Sequence, residues 1–190
     1  MGVRLTLVTN HPFRPSDLAT VSRAFERIEP SLEEIARHLA PDLPHLGPPL
    51  GRWVEHPRRP SPFGDRVLLL SAPAGFLMWF GPRAVYMSHV LRFREFAGNR
   101  PWRDAIRRFA RGCARALGAG GALYCRSDVV GDEAREGVVD GLAVPEVLAA
   151  LGRRFGPPAF SIEEMYVPDS PGYYVEYFAG DVTADAGCHW

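Results

Sequence analysis

Residues Asn99–Asp128, NRPWRDAIRRFARGCARALGAGGALYCRSD, carry the strongest structural signals in the sequence. Asn99 is of the residue type that caps helices, and Pro101 stands in the first turn, where a helix tolerates a missing N–H. Apolar residues then recur at spacings of three and four, which is typical of a helix that buries one face. They are Ile106, Phe109, Ala110, Cys113 and Leu117. We therefore predict a helix that begins after Asn99 and ends at Gly118.

The same helix carries five arginines away from its apolar face. They are Arg103, Arg107, Arg108, Arg111 and Arg115. At about 100° per residue they share an arc of roughly 140°, so they form a basic face that only Asp104 interrupts. All 22 basic residues of the chain are arginines, so the choice of arginine over lysine in this helix carries no functional meaning by itself.

Three glycines follow the helix, and a short apolar strand follows them. Gly118, Gly120 and Gly121 allow the positive φ angles that a helix end and a sharp reversal need. Ala122–Cys125 has no polar gap, which predicts a strand buried on both faces. Phosphate-binding loops have the reverse order, with the strand first, then the glycines, then the helix. The glycine run therefore predicts a turn, and the sequence predicts no nucleotide and no other cofactor.

Antiparallel strands are predicted on both sides of this unit. Arg66–Ser71, Phe76–Phe80 and the segment from Ala84 are joined by short turns and predict a central meander. Further along the chain, Phe160–Val167 and Tyr173–Phe178 flank a turn rich in proline and glycine, and they predict a C-terminal hairpin.

These elements predict an α+β fold, with a largely antiparallel sheet built from the meander and the hairpin and with helices packed on one face. At 190 residues the chain fits one domain, residues 1–190. Residues 41–62 hold seven prolines, so we expect a long excursion without regular structure there. The segment from Asp128 to Gly141 is acidic and poor in apolar residues, which predicts a solvated loop.

The net charge of zero conceals two regions of opposite sign. Residues 51–115 hold thirteen arginines against four acidic residues, a balance of +9, and residues 127–190 hold three against twelve, a balance of −9. One interpretation is that the two regions pack together and partly neutralise each other. The other is a surface of two signs that steers a charged protein partner. Its contact residues would be the helix arginines above and, in the acidic loop, Asp128, Asp132, Glu133 and Glu136.

Other partner classes are disfavoured. The helix has no helix-turn-helix, zinc-finger or RNP-type signature beside it, which argues against nucleic acid. No run approaches the roughly 18 apolar residues of a membrane span, and no apolar leader opens the chain, so we expect a cytoplasmic bacterial protein. Cys188 and His189 are metal-ligand types, but their spacing from Asp181 and Asp185 matches no zinc pattern, so we predict no metal.

A catalytic alternative rests on three residues. His89 lies in the third strand of the predicted meander, on the face of Val85 and Met87, and histidine titrates near neutrality. Cys125 and Asp128 stand at the end of the strand after the glycines, and convergence with His89 would make the site of a small hydrolase or transferase. The second interpretation is that His89 is a core histidine and that Cys125 is a buried cysteine followed by a polar turn. We favour this structural interpretation, so no catalytic residue is expected. The catalytic interpretation stays open.

The C-terminal half has a recognisable layout. Ala116–Ala119 leads into Ala122–Tyr124, and a helix that ends in Phe155–Pro158 precedes the hairpin. This layout resembles the small α+β immunity proteins found beside bacterial polymorphic and secreted toxins. The motifs are structural, so no functional position carries over. The resemblance implies a protein that binds a cognate toxin and blocks its active site without catalysis.

Overall fold

The computed structural model describes residues 4–12, 54–55, 68–71, 76–167 and 169–178, and one antiparallel sheet lies at its centre. The strands are β1 (Arg4–Asn10), β2 (Val54–Glu55), β3 (Leu68–Ser71), β4 (Phe76–Phe80), β5 (Ala84–Arg92), β6 (Gly121–Arg126) and β7 (Tyr173–Tyr177). Within these residues the strand order is β2-β3-β4-β5-β1-β6-β7, and every neighbouring pair is antiparallel. The predicted meander is therefore present as β3-β4-β5, and β1 lies between β5 and β6.

Helices complete the described part of the chain. They are α1 (Phe93–Gly98), α2 (Arg100–Ala116), α3 (Val129–Val139), α4 (Val144–Phe155) and a 3-10 turn at Glu164–Tyr166. Helix α2 begins as predicted, because the side chain of Asn99 accepts a hydrogen bond from the N–H of Trp102 at 3.3 Å. It ends before Gly118, whose φ of 73° is in the left-handed region that glycine tolerates. The predicted α+β fold is confirmed.

Both faces of the sheet are covered by helices, which corrects the expectation of helices on one face. Leu7 packs on one side with Phe109 and other residues of α1 and α2, and we call this side the α2 face. Val8 packs on the other side with Val138 and other residues of α3 and α4, and we call this side the α3 face. Successive residues of a strand point to opposite faces. Because the central strands are apolar at both sets of positions, each face requires its own cover.

Helix α3 occupies the segment that was expected to be a solvated loop, so that prediction is wrong. The side chain of Asp128 accepts a hydrogen bond from the N–H of Val130 at 3.0 Å and caps the helix. Val130, Ala134 and Val138 are buried, and their spacing of four places them on one narrow stripe against the sheet. These three small apolar side chains hold the helix because they pack against the apolar α3 face of the sheet.

The predicted C-terminal hairpin also does not form. Strand β7 pairs with β6, with Cys125 opposite Tyr173 and Gly121 opposite Tyr177. The segment 160–167 contains the 3-10 turn, and Ala159 makes a single bridge to Tyr174. Ile162 and Met165 are both buried, and a tight turn brings residues three apart to the same side, whereas a strand would separate them.

Three expectations fall partly or wholly outside the described residues. In the proline-rich excursion the structure describes Val54–Glu55, which pairs with β3 as a regular strand. Cys188 and His189 lie outside the described residues, and the single domain over 1–190 stays a prediction.

Among the helices that the structure describes, none has the length and apolar character that crossing a bilayer requires.

Helix α3 approaches the sheet closely at Gly131, and this contact gives a test of the two-sided fold. A Cβ atom at Gly131 would lie 2.6 Å from the carbonyl oxygen of Arg126, whereas a Cβ atom at Gly98 would meet nothing within 4 Å. We expect Gly131→Ala to lower the free energy of unfolding by about 1–3 kcal/mol, because the helix must move off the sheet. Gly98→Ala should leave stability unchanged or raise it slightly.

Urea unfolding followed by far-UV circular dichroism measures both variants. Equal stabilities for Gly131→Ala and Gly98→Ala would contradict the packing of α3 on the sheet.

Candidate functional site

The centre of the charged surface is an ion pair between α2 and the edge strand β7. The side chain of Glu176 is 7% exposed, and its Oε1 lies 2.5 Å from Nη2 of Arg107. The Nε of Arg107 lies 3.2 Å from both carboxylate oxygens, and the hydroxyl of Tyr124 donates to Oε2 at 2.8 Å. Three donor groups, two from Arg107 and one from Tyr124, thus hydrogen-bond to one buried carboxylate. The hydrogen bond to Glu176 raises the pKa of Arg107, and burial raises the pKa of Tyr124, so the arginine stays charged and the phenol neutral.

Two more arginines of α2 contact the C-terminal region. Arg103 lies 3.1 Å from Glu163, and its side chain is 16% exposed. Arg111 lies 3.8 Å from Glu176 and places its guanidinium 5.3 Å from the ring centre of Phe178, while half of its side chain remains exposed. The pKa of Glu163 is lowered, first by a backbone hydrogen bond and then by the charge of Arg103.

These contacts support the first interpretation of the charge distribution. Arg103 and Arg107 belong to the positive region, and both pair with carboxylates of the negative region. Arg83 and Glu146, again one from each region, lie 2.7 Å apart. The two regions therefore pack together and partly neutralise each other.

The outer side of α2 still presents a basic surface. We define the arginine stripe as the exposed residues Arg100, Arg108, Arg111 and Arg115. At about 100° per residue the four lie within an arc of roughly 80°. They extend over about 22 Å at 1.5 Å per residue. Asp104 lies within the same arc and is 3.7 Å from Arg100.

The structure thus divides the five predicted arginines into two groups. Arg108, Arg111 and Arg115 belong to the arginine stripe, and Arg103 and Arg107 form its paired flank. Arg100 is a stripe residue that the sequence analysis missed, although its spacing of eight from Arg108 places it on the same side of the helix.

The predicted acidic contact residues lie on α3, on the opposite side of the sheet from α2. Asp128 caps the helix and lies 3.2 Å from Nε of Arg126, and Asp132 lies 3.1 Å from Arg135. Glu133 forms an ion pair with Arg154. Glu136 is exposed, and no side-chain partner of it is found among the described residues. One flat partner surface cannot contact both these acids and the arginine stripe.

Cys125 and Asp128, two residues of the catalytic alternative, both contribute to the packing and capping of the fold. Cys125 is fully buried on the α3 face, and burial raises the pKa of its thiol, whereas a nucleophilic cysteine requires a lowered pKa. The carboxylate of Asp128 caps α3 and pairs with Arg126. The structure describes the backbone of His89, which lies opposite Phe76 in β4, and not its ring.

The described ranges hold a cavity near the end of β1 in addition to the charged surface. These ranges contain no group of three or more histidine, cysteine, aspartate or glutamate residues placed to hold a metal ion. A cavity of about 270 Å³ lies between the end of β1 and the end of α2, lined in part by Asn10, His11 and Arg83. His11 is buried, stacks on Phe80 at 3.8 Å, and has its Nε2 2.8 Å from the carbonyl oxygen of Gly81. The sequence analysis did not single out this histidine.

Comparison of the chain with known protein families, with characterised proteins and with solved structures finds no match. The resemblance to immunity proteins therefore stays a prediction.

The environment of Cys125 predicts a thiol that does not react in the folded protein. Because the native thiol is buried and its pKa is raised, iodoacetamide at pH 8 should leave Cys125 unmodified, as judged by peptide mass spectrometry. Cys113, which is also buried with a raised pKa, serves as the matched control. Both should be alkylated after unfolding in urea. Rapid modification of native Cys125, with Cys113 protected, would contradict this view and favour the catalytic alternative.

Proposed function

We propose that this protein is a non-enzymatic binding protein, an immunity-type inhibitor that neutralises a cognate toxin by direct contact. The observation that carries the proposal is the arginine stripe on α2. Its four exposed guanidinium groups share one side of one helix. A row of like charge of this kind complements an acidic patch on a partner and accelerates its approach.

Support comes from the way in which α2 is held. The flank residues Arg103 and Arg107 are bound to Glu163 and Glu176, and Phe109 and Cys113 are fully buried on the other side. The helix therefore presents its stripe on a fixed support, and little backbone freedom is lost when a partner binds. An inhibitor that acts by covering another protein needs such a support and no reactive group of its own.

The finer parts of the proposal rest on the sequence. The resemblance of the C-terminal layout to immunity proteins implies a toxin as the partner. Exclusive use of arginine as the basic residue is typical of a GC-rich bacterial genome, and the proposed location is the bacterial cytoplasm.

Charge reversal in the arginine stripe tests the proposal. We expect Arg108→Glu combined with Arg115→Glu to weaken binding of the protein partner by at least about tenfold, with unchanged thermal unfolding, because both residues are exposed. The partner is the protein that the wild type retains from a lysate of its source cells, purified and titrated by calorimetry. Arg107 stays unchanged, since a glutamate there would face the buried carboxylate of Glu176.

Arg153→Glu is the matched control, because Arg153 is exposed on α4, on the opposite side of the sheet. It should bind as the wild type does. A stripe variant that binds within about twofold of the wild type would contradict the proposal. So would a protein that retains a short DNA duplex through the stripe and no protein partner.

A further inference from the structure

The most exposed large apolar side chain in the described part of the chain belongs to Phe160. It is 94% exposed, whereas the residue before it, Ala159, is 7% exposed. Ile162 and Met165, which follow it in the same segment, are 3% and 0% exposed. The segment is therefore folded into the core, and Phe160 alone among these apolar residues points into solvent.

The backbone around Phe160 is held at several points. The N–H of Ala159 donates to the carbonyl oxygen of Tyr173 at 2.9 Å, which attaches the segment to β7. The N–H of Phe160 donates to the carboxylate of Glu164 at 2.5 Å, and the N–H of Glu164 donates to the hydroxyl of Ser161 at 3.1 Å. Because these bonds define the path of the chain, the ring is presented from a fixed position.

The segment is also attached to α2. Glu163 lies 3.1 Å from Arg103, on the flank of the arginine stripe. Phe160 is three residues from Glu163, so the segment that presents the ring is attached to the flank of the arginine stripe. Pro157 and Pro158, which precede Phe160 in the chain, are both exposed.

The charges around Phe160 determine what can cover it. Glu163 is engaged by Arg103, and Glu164 is engaged by the N–H of Phe160. The two acids that follow Phe160 in its segment are thus engaged within the protein, and the stripe residues of α2, the helix to which the segment is attached, are cations. A complementary surface combines an apolar pocket for the ring with carboxylates at its border.

We infer that Phe160 is the apolar anchor of a protein–protein interface and inserts into an apolar pocket bordered by acidic residues on the partner. The inference rests on the proposed function, because the partner is the protein that the arginine stripe contacts. Interfaces of this kind depend on a few aromatic side chains that fill pockets, with charged groups around them. The stripe provides attraction and orientation, and Phe160 provides the buried contact.

Site-specific photo-crosslinking tests the anchor directly. We place p-benzoylphenylalanine at position 160 in the full chain, irradiate the source cells, and map the adduct by mass spectrometry. The matched control is the same group at position 129, where Val129 is 56% exposed at the start of α3. We expect an adduct from position 160 alone, joined to a pocket of apolar residues with acidic neighbours. Adducts of equal yield from both positions, or an adduct between two copies of this chain, would overturn the inference.

A second measurement separates the anchor from the stripe. Phe160→Ala should leave the unfolding midpoint unchanged, because the ring is 94% exposed, and should weaken binding of the purified partner at least about tenfold. If the stripe variant loses binding and Phe160→Ala keeps it within about twofold, the anchor is wrong and the proposed function stands. If Phe160→Ala loses binding and the stripe variant keeps it, Phe160 contacts a partner, but the proposed function, which rests on the stripe, is contradicted.

Discussion

A buried carboxylate must be compensated, and in this protein the compensation of Glu176 determines how α2 lies on the sheet. Removing an isolated charge from water costs far more than any single contact returns. Arg107 and Tyr124 supply the compensation, one from the helix and one from β6. Because Arg107 must face β7, the rotation of α2 about its own axis is set. The apolar stripe then faces the core, and the remaining arginines face solvent.

The same constraint explains the charge distribution of the chain. The paired residues of the positive and negative regions lie sixty and sixty-nine residues apart in the sequence, and they meet where α2 lies beside β7 and the segment that carries Glu163. Pairing there removes part of the basic surface and leaves the arginine stripe. The attachment of Glu163 to α2 also fixes the segment that presents Phe160. One set of ion pairs thus supports both surfaces from which the binding function is proposed.

The elements that sequence analysis predicted well are those with local signals. Helix α2 and strand β6 are specified by a capping asparagine, an apolar period and a glycine end, all within thirty residues. Helix α3 was missed because its stripe of Val130, Ala134 and Val138 is narrow, and its burial depends on a sheet face formed by distant strands. The hairpin was wrong because β7 pairs with β6, and local pattern cannot distinguish that partner from a nearer one.

Only the part of the candidate site that depends on local sequence spacing was predicted. Helical spacing placed the arginines on one arc, which the structure retains. Which of them are exposed depends on Glu163 and Glu176, which lie sixty and sixty-nine residues from their partners Arg103 and Arg107, and no local sequence rule relates them. Phe160 was assigned to a strand, in which it would have been paired, and only the 3-10 turn and the burial of Ile162 and Met165 leave it in solvent.

A double-mutant cycle on Arg107 and Glu176 measures whether their ion pair holds α2 to the sheet. The free energies of unfolding of Arg107→Met, Glu176→Gln, the double variant and the wild type are measured by urea titration. A cooperative ion pair predicts a coupling energy of about 1–2 kcal/mol, below the upper end of the range for contacting residues because the side chain of Arg107 is 41% exposed. Single effects that add to the double effect within about 0.4 kcal/mol would show that the pair does not hold α2 to the sheet, and would contradict the account.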